Sequence, residues 1–399
     1  MALGKTLTAT AILTQSQDST LEIRLSSSRQ KKRKLTSEFK TLEFHPQVSV
    51  FDRSNPSSTN SPFHGFFTLF WLGLGFYMIR TVAWNFRDMI VLWISDLCMV
   101  ISSVFALVLQ RAVYAGTIDW DHTGWIIGHI WQISSLAFTV WWSEYRQWPW
   151  IQKVFITLHC FVMLMKQYSY ATFNGYLSRR YRVVKELELR LGSTTSTSEK
   201  EKLGLEIQGH MNELESPCGT KHYPDNLTLR NFVDYLLCPT LIYELSYPRT
   251  AKIRWSYLLE KSVASVGVFL LIVLIAEHSV IPHLPPQTTT RTQRLHDLPW
   301  SALDIIFPLT TLYLLVFYLV FECILNVFAE ITCFADRGFY DAWWNSWNWE
   351  QFSREWNKPV HLFLLRHVYH SSISAFKISK RHATLCTFLL SALYVLEIK

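Results

Sequence analysis

The chain has 399 residues, 49% of them hydrophobic and 15% aromatic, with 17% charged and a formal net charge of +7. A soluble chain of this size carries about a quarter charged residues, so the composition excludes an ordinary water-soluble enzyme. The apolar residues are gathered into long runs, which points to a polytopic membrane protein, and the surplus Lys and Arg lie in a tail and in connecting loops rather than on a nucleic-acid-binding face.

Residues 1–60 are rich in Ser, Thr and Gln and lack a sustained apolar run. They read as a disordered basic tail, with Arg29, Lys31, Lys32, Arg33 and Lys34 as a cytosolic charge cluster under the positive-inside rule. No basic region followed by a compact apolar block marks a cleaved signal peptide. Apolar runs predict spans near 63–84, 92–112, 123–142, 150–169, 262–281 and 303–327. Residues 360–376 are amphipathic and apolar enough to lie in the membrane, and a last apolar run covers 383–398. The expected fold class is therefore all-α, a polytopic transmembrane helix bundle, with 1–60 as a tail and 61–399 as the membrane domain.

Between the fourth and fifth spans lies a polar segment at about 178–257; its start has helical composition and its middle, STTSTSEKEK, reads as a flexible loop. It carries Arg179, Arg180, Arg182, Lys185, Arg190, Lys200, Lys202, Lys221, Arg230, Arg249, Lys252 and Arg254. The loops on the opposite side carry Arg87, Arg146, Arg291 and Arg294. This asymmetry places the N-terminus, 178–257 and 328–360 in the cytosol. Asn226-Leu227-Thr228 matches a glycosylation acceptor, yet on this topology it faces the cytosol and stays unmodified.

Lys166, Glu277, His278, Asp304, Glu322, Asn326 and Glu330 sit in or beside apolar runs. Charge in lipid is costly, so these side chains are expected to face protein or a water-filled cavity. Residues 238–249, CPTLIYELSYPR, are apolar but broken by Pro239 and Pro248, so they read as an irregular segment tolerated at membrane depth only under a protein cover. The seven cysteines show no CxxC spacing and read as small buried hydrophobes. His367 and His370 share a helix face, but a metal site would need further ligands, and none is expected. No phosphate-cradling glycine loop, hydrolase elbow or zinc-protease motif is present.

The densest feature is 339–357, FYDAWWNSWNWEQFSREWN, with five tryptophans beside Glu350 and Glu355. It is too polar to span a bilayer and too aromatic for a solvated loop, so it is expected at a membrane–water interface.

Four blocks carry a family resemblance: MKQYSY at 165–170, CPTLIYELSYPR at 238–249, FYDAWWN at 339–345 followed by WNKPVH at 356–361, and LLRHVYH onward from 364. In this order they resemble the membrane-bound O-acyltransferases, in particular the fungal sterol O-acyltransferase branch, with its FYxDWWN motif. The resemblance implies a helix bundle in the endoplasmic reticulum membrane that transfers an acyl chain from acyl-CoA to the 3-hydroxyl of a sterol. The products would be a steryl ester and CoA, and the enzyme would need no cofactor and no nucleic acid. Its partners would be membrane lipid, acyl-CoA, sterol and further copies of itself, as a dimer or tetramer. It implies Phe339, Tyr340, Asp341, Trp343, Trp344 and Asn345 as the motif, with Asn345 catalytic through its amide. For acyl-CoA it implies Trp344, Arg354, Trp356, Asn357, Lys358, Arg366, Lys380 and Ser391.

Two departures stand out. The motif's acid comes one place early as Asp341, and Ala342 stands where the family has Asp. The family's SAxxHE helix carries the general base, whereas this chain reads Ser391-Ala392-Leu393-Tyr394-Val395-Leu396-Glu397. Val395 occupies the histidine's place and cannot accept a proton. The expectation is thus a C-terminally shortened product with impaired activity. The alternatives are a diacylglycerol acyltransferase of the same fold and a non-catalytic partner of an intact relative.

Overall fold

The computed structural model describes residues 86–217, 219, 221–283, 291–371 and 373; the tail at 1–60 and the expected spans at 63–84 and 383–398 lie outside them. Among the described residues the fold is helical and the strand pairing is confined to isolated bridges. The helices are α1 (Phe86–Ser102), α2 (Phe105–Tyr114), α3 (Trp125–Tyr145), α4 (Trp150–Ser193), α5 (Thr197–Leu214), α6 (Leu229–Leu237), α7 (Trp255–Ile275), α8 (Arg291–Phe317), α9 (Leu325–Ile331), α10 (Trp349–Glu355) and α11 (Lys358–Phe363).

Among the described residues three stretches are long and apolar enough to cross a membrane: Met89–Tyr114, Trp255–His283 and Pro299–Ile331. They correspond to the spans expected at 92–112, 262–281 and 303–327. Large side chains on their flanks are open to the surroundings, among them Leu259, Val263, Val266, Leu303, Ile306 and Phe307, as lipid contact requires. The runs at 123–142 and 150–169 are helical as well, in α3 and the first half of α4, but Gln132, Ser134 and Ser135, and Lys153, His159 and Lys166, dilute their apolar content.

The loop expected in the middle of 178–257 is instead mostly helix: α4 continues to Ser193 and α5 starts at Thr197. Its Glu and Lys are good helix formers, and this outweighs the Ser/Thr cluster, which only separates the two helices. Among the described residues, Arg180–Glu215 belong to a compact unit separate from the rest, with the Arg180–Glu213 ion pair at 3.1 Å inside it.

In the other unit, α7 and the end of the following span run antiparallel and are joined by two ion pairs whose acids are buried. Arg254 meets Glu330 at 2.8 Å, and Lys261 meets Glu322 at 3.4 Å. The two cations are two α-helical turns apart, whereas the acids are one residue further apart, and the π-helical stretch Tyr318–Ile324 absorbs that residue. Glu330 is closed from solvent and accepts from the Arg254 backbone N–H at 2.6 Å, while Arg337 approaches its other oxygen at 2.6 Å. Asn326 is buried beside them and donates to the Phe321 and Glu322 carbonyls.

The expectation for polar residues in apolar runs therefore holds for Lys166, Glu322, Asn326 and Glu330, all buried among protein partners. Glu277, His278 and Asp304 depart from it, because they are exposed. They lie within about six residues of the ends of the Trp255–His283 and Pro299–Ile331 stretches. Cys160, Cys238 and Cys323 are buried free thiols, as expected; Cys98 is exposed and Cys333 half-buried.

Candidate functional site

Residues 238–245 follow α6 without forming a helix, and every one of them is buried. Such a backbone needs a partner for each polar group. Side chains supply many of them. Tyr243 N–H donates to Ser169 Oγ at 2.9 Å, and Glu244 N–H donates to Tyr247 Oη at 2.9 Å. Tyr247 Oη in turn donates to the Ile242 carbonyl at 2.9 Å, and Tyr235 Oη to that of Leu241 at 3.0 Å. Lys166 Nζ donates to the carbonyls of Tyr235, Leu236 and Cys238 at 3.0, 3.0 and 2.6 Å, so its three protons cap the C-terminus of α6 at the negative end of that helix dipole. Asn226, the glycosylation-type residue, is buried, with its amide on Asn174 Oδ1 at 2.6 Å and Tyr243 Oη at 3.0 Å.

The same segment brings three sequence blocks together. Ser169, from MKQYSY, has no exposed surface; its oxygen accepts from Tyr243, which leaves its own proton for Nε2 of His367 at 2.8 Å. Beside it Arg366 Nη1 donates to Glu244 Oε1 at 2.6 Å, and the guanidinium carbon lies 4.9 Å from the Phe173 ring centroid. Tyr168 meets His367 edge-on at 5.4 Å. A hydroxyl within reach of an imidazole is the geometry of an activated nucleophile. Here the serine is sealed and its oxygen already holds backbone, so the pair acts as a clamp on three segments. Sequence reasoning did not find Ser169 and His367 as partners, since 198 positions separate them. Their membership of two separate motif blocks was the available signal.

The tryptophan-rich loop packs onto the other side of residues 238–249. The chain leaves α9 through Cys333 at a φ of 54°, and Thr250 N–H donates to the Cys333 carbonyl at 2.7 Å. Ala335 N–H donates to that of Pro248 at 3.0 Å, and Arg249 reaches Asp234 at 2.6 Å and the Thr332 carbonyl. Phe339 is buried with Cys238, Phe321, Ala329 and Phe334. Tyr340 packs edge-on against Phe317 at 4.9 Å and donates its hydroxyl to Glu322 at 2.7 Å, next to the Lys261 ion pair. Burial, reinforced by the Glu322 charge, pushes the Tyr340 phenol well above its ordinary value, so it stays the donor. Trp343 packs against Phe317 and Tyr313 at 5.1 and 6.0 Å.

Phe339, Tyr340 and Trp343 thus anchor the loop, and the remainder of the motif is presented outward. Asn345 closes the short 3₁₀ turn Trp343–Asn345 through its N–H to the Ala342 carbonyl at 2.9 Å and is exposed, together with Asp341, Ala342 and Trp344. Trp347 and Trp349 are 85% and 82% exposed, which gives the loop an aromatic outer surface. Asp341, the shifted acid, pairs with Lys358 at 3.0 Å, and its backbone N–H donates to the Glu355 carbonyl at 2.8 Å.

Of the residues the resemblance assigned to acyl-CoA, Trp344 and Arg354 are exposed, and Arg354 pairs with the exposed Glu350 at 3.4 Å, a pairing that water screens. Trp356 is half-buried, stacked on Phe352 at 6.1 Å. Asn357 caps α11 by accepting from Val360 N–H at 3.2 Å, and Lys358 is engaged with Asp341. Arg366 is buried on Glu244, which removes it from any surface that a soluble phosphate could reach. Lys380, Ser391 and Val395 lie outside the described residues. Among the described residues no cluster of three metal-ligating side chains occurs.

Comparison with known proteins adds an independent line. Residues 137–394 match the family described as MBOAT, membrane-bound O-acyltransferase family. The chain is 38% identical to the probable sterol O-acyltransferase 1 of Schizosaccharomyces pombe, over 88% of this chain and 74% of the relative. It is 34% identical to the sterol O-acyltransferase 2 of Candida albicans, over 91% of this chain and 70% of the relative. A likeness to the diacylglycerol O-acyltransferase 1 of Dictyostelium discoideum, 38% identical, covers 38% of this chain and 25% of that protein.

Proposed function

Since the chain belongs to the membrane-bound O-acyltransferase family, we propose that it is a sterol O-acyltransferase, which moves an acyl group from acyl-CoA to a sterol 3-hydroxyl and releases CoA. The observation that carries the reading is the extended identity to sterol O-acyltransferases, over about nine-tenths of this chain, against a likeness to a diacylglycerol enzyme over 38% of it. The location is the endoplasmic reticulum membrane, with the N-terminus and the tryptophan-rich loop in the cytosol, where acyl-CoA is dissolved. The working form is a homo-oligomer.

In this reading the exposed Asn345 amide donates to the thioester carbonyl as negative charge grows on its oxygen, and the anchored side of the loop fixes where that amide stands. Trp344 and Arg354 are on the open side of the loop and serve the acyl-CoA. The sterol proton needs an acceptor, and Val395 offers none at the place where the family has its base, so turnover is impaired.

The experiment is expression in cells lacking steryl-ester synthesis, with labelled fatty acid and separation of neutral lipids. Steryl ester, at a low level that Val395→His raises, supports the reading. Triacylglycerol without steryl ester replaces it with the diacylglycerol reading. No ester from either form, together with co-purification of an intact relative, points to a non-catalytic partner.

A further inference from the structure

A second polar site joins α1 to α4 ahead of the MKQYSY block. Asp96 on α1 and His159 on α4 meet at 2.5 Å between Oδ1 and Nδ1. Asp96 is seven residues into the Met89–Tyr114 span, roughly 10 Å from its end by helical rise. His159 is nine residues into α4, roughly 13 Å from the start of that helix. Asp96 thus stands in an apolar stretch long enough to span a bilayer, and His159 in the run expected to span at 150–169.

The pair is not sealed: the Asp96 and His159 side chains are 15% and 29% exposed. Among the described residues neither makes another hydrogen bond, which leaves Asp96 Oδ2 and His159 Nε2 without partners at a depth where unpaired polar atoms are costly. Neighbouring polar groups are already used. Ser95 Oγ donates to the Val91 carbonyl at 2.8 Å and accepts from Trp142 Nε1 at 3.0 Å, and Thr139 Oγ1 donates to the Ser135 carbonyl at 2.9 Å. One turn before each member of the pair stands an exposed ring, Trp93 at 67% and Phe155 at 42%.

We propose that Asp96 and His159 form a bilayer-facing docking site for a lipid with one hydroxyl on a rigid apolar body, of the sterol class. A hydroxyl is one donor and two acceptors, so it donates to Asp96 Oδ2 and accepts from His159 Nε2 in the form where that nitrogen carries a proton. The flat apolar body then lies over Trp93 and Phe155. The choice of sterol among hydroxylated lipids rests on the proposed function; the site itself rests on the unpaired atoms. The site holds the acceptor substrate in the membrane before it reaches the loop.

The test uses the full chain in nanodiscs with a photoactivatable sterol that keeps its 3-hydroxyl, followed by peptide mapping of the adduct. Adducts are expected on α1 and the first turns of α4. Excess sterol should compete them away, and the sterol 3-methyl ether should not. In the D96L/H159L variant, which replaces a polar pair by an apolar one suited to lipid, labelling there should be lost, and KM for sterol should rise about tenfold with kcat unchanged. Adducts confined to other helices, equal competition by the ether, or a well-folded double variant that labels like the parent would overturn the proposal. The ether competition needs no variant and decides by itself if the double variant does not fold. If adducts form at this pair but no steryl ester is made, the activity reading fails and the site stands. If ester is made without these adducts, the site fails and the activity reading stands.

Discussion

Replacing Glu330 by Leu should destabilise the bundle far more than replacing Glu330 and Arg337 together by Leu and Met. Glu330 has no exposed side-chain surface and Arg337 has 2%, whereas Arg254 on the same carboxylate keeps 31%. In the single variant Arg254 rehydrates, but the Arg337 guanidinium is left buried without its counter-ion. Its Nε–H to the Phe334 carbonyl at 3.2 Å and its place over the Tyr257 ring offset only part of that. Breaking one side of a buried pair costs about 3–5 kcal/mol, while an apolar replacement of the whole pair is often close to neutral. The expected loss is therefore about 3 kcal/mol for Glu330→Leu and about 1 kcal/mol or less for the double variant, a separation of about 4 °C in thermal midpoint. Fluorescence-detected size exclusion after heating in detergent measures it. Equal midpoints for the single and double variants would show that Arg337 is not stranded and refute the reasoning.

Tyr340→Phe should cost about 1.5–3 kcal/mol, the worth of a hydrogen bond to a charged group. The Tyr340 phenol is raised above its unfolded value near 10, so its contribution is complete below about pH 10 and is lost as pH climbs towards the folded value. The parent's stability advantage over Tyr340→Phe should therefore be constant from pH 7 to about pH 10 and shrink above it; a gap that shrinks on the acidic side would contradict the assignment. Asn345→Ala should leave the stability within about 0.5 kcal/mol of the parent, as for an exposed side chain, while ester formation falls by about 10²-fold. Lys166→Met should strand the carbonyls of Tyr235, Leu236 and Cys238 and lower the midpoint by an amount that Lys166→Arg does not restore, because a flat guanidinium cannot aim three protons at one helix end.

The cost of charge in lipid made Lys166, Glu322 and Glu330 stand out in the sequence as groups needing cover. Who covers them was not legible: Lys261 and Glu322 are 61 positions apart, and only an antiparallel packing with a π-helical register shift sets them opposite each other. The same cost argument failed for Glu277, His278 and Asp304, because hydropathy does not say where along an apolar run the membrane ends. The tryptophan-rich loop was recognisable as interfacial from composition. Its division into Phe339, Tyr340 and Trp343 inside and Trp344, Trp347 and Trp349 outside was not, since the turn at Trp343–Asn345 follows neither helical nor strand periodicity. The resemblance assigned Arg366 to acyl-CoA, and its burial on Glu244, 122 positions away, is a tertiary fact.

The irregular run at 238–245 has a consequence for how the protein is made. Few of its amides and carbonyls pair with one another, Thr240 N–H to the Cys238 carbonyl at 2.8 Å being one such bond, so it cannot enter lipid as a helix does. The groups that satisfy it, Lys166 and Ser169, lie on an earlier helix, and Arg366 and His367, which close over it, are synthesised later. The segment must wait at the translocon, with its backbone wetted, until the later helix arrives. A chain that stalls between these two points is the form most exposed to membrane quality control, and substitutions at Ser169 or His367 should be seen first as faster turnover of the nascent protein.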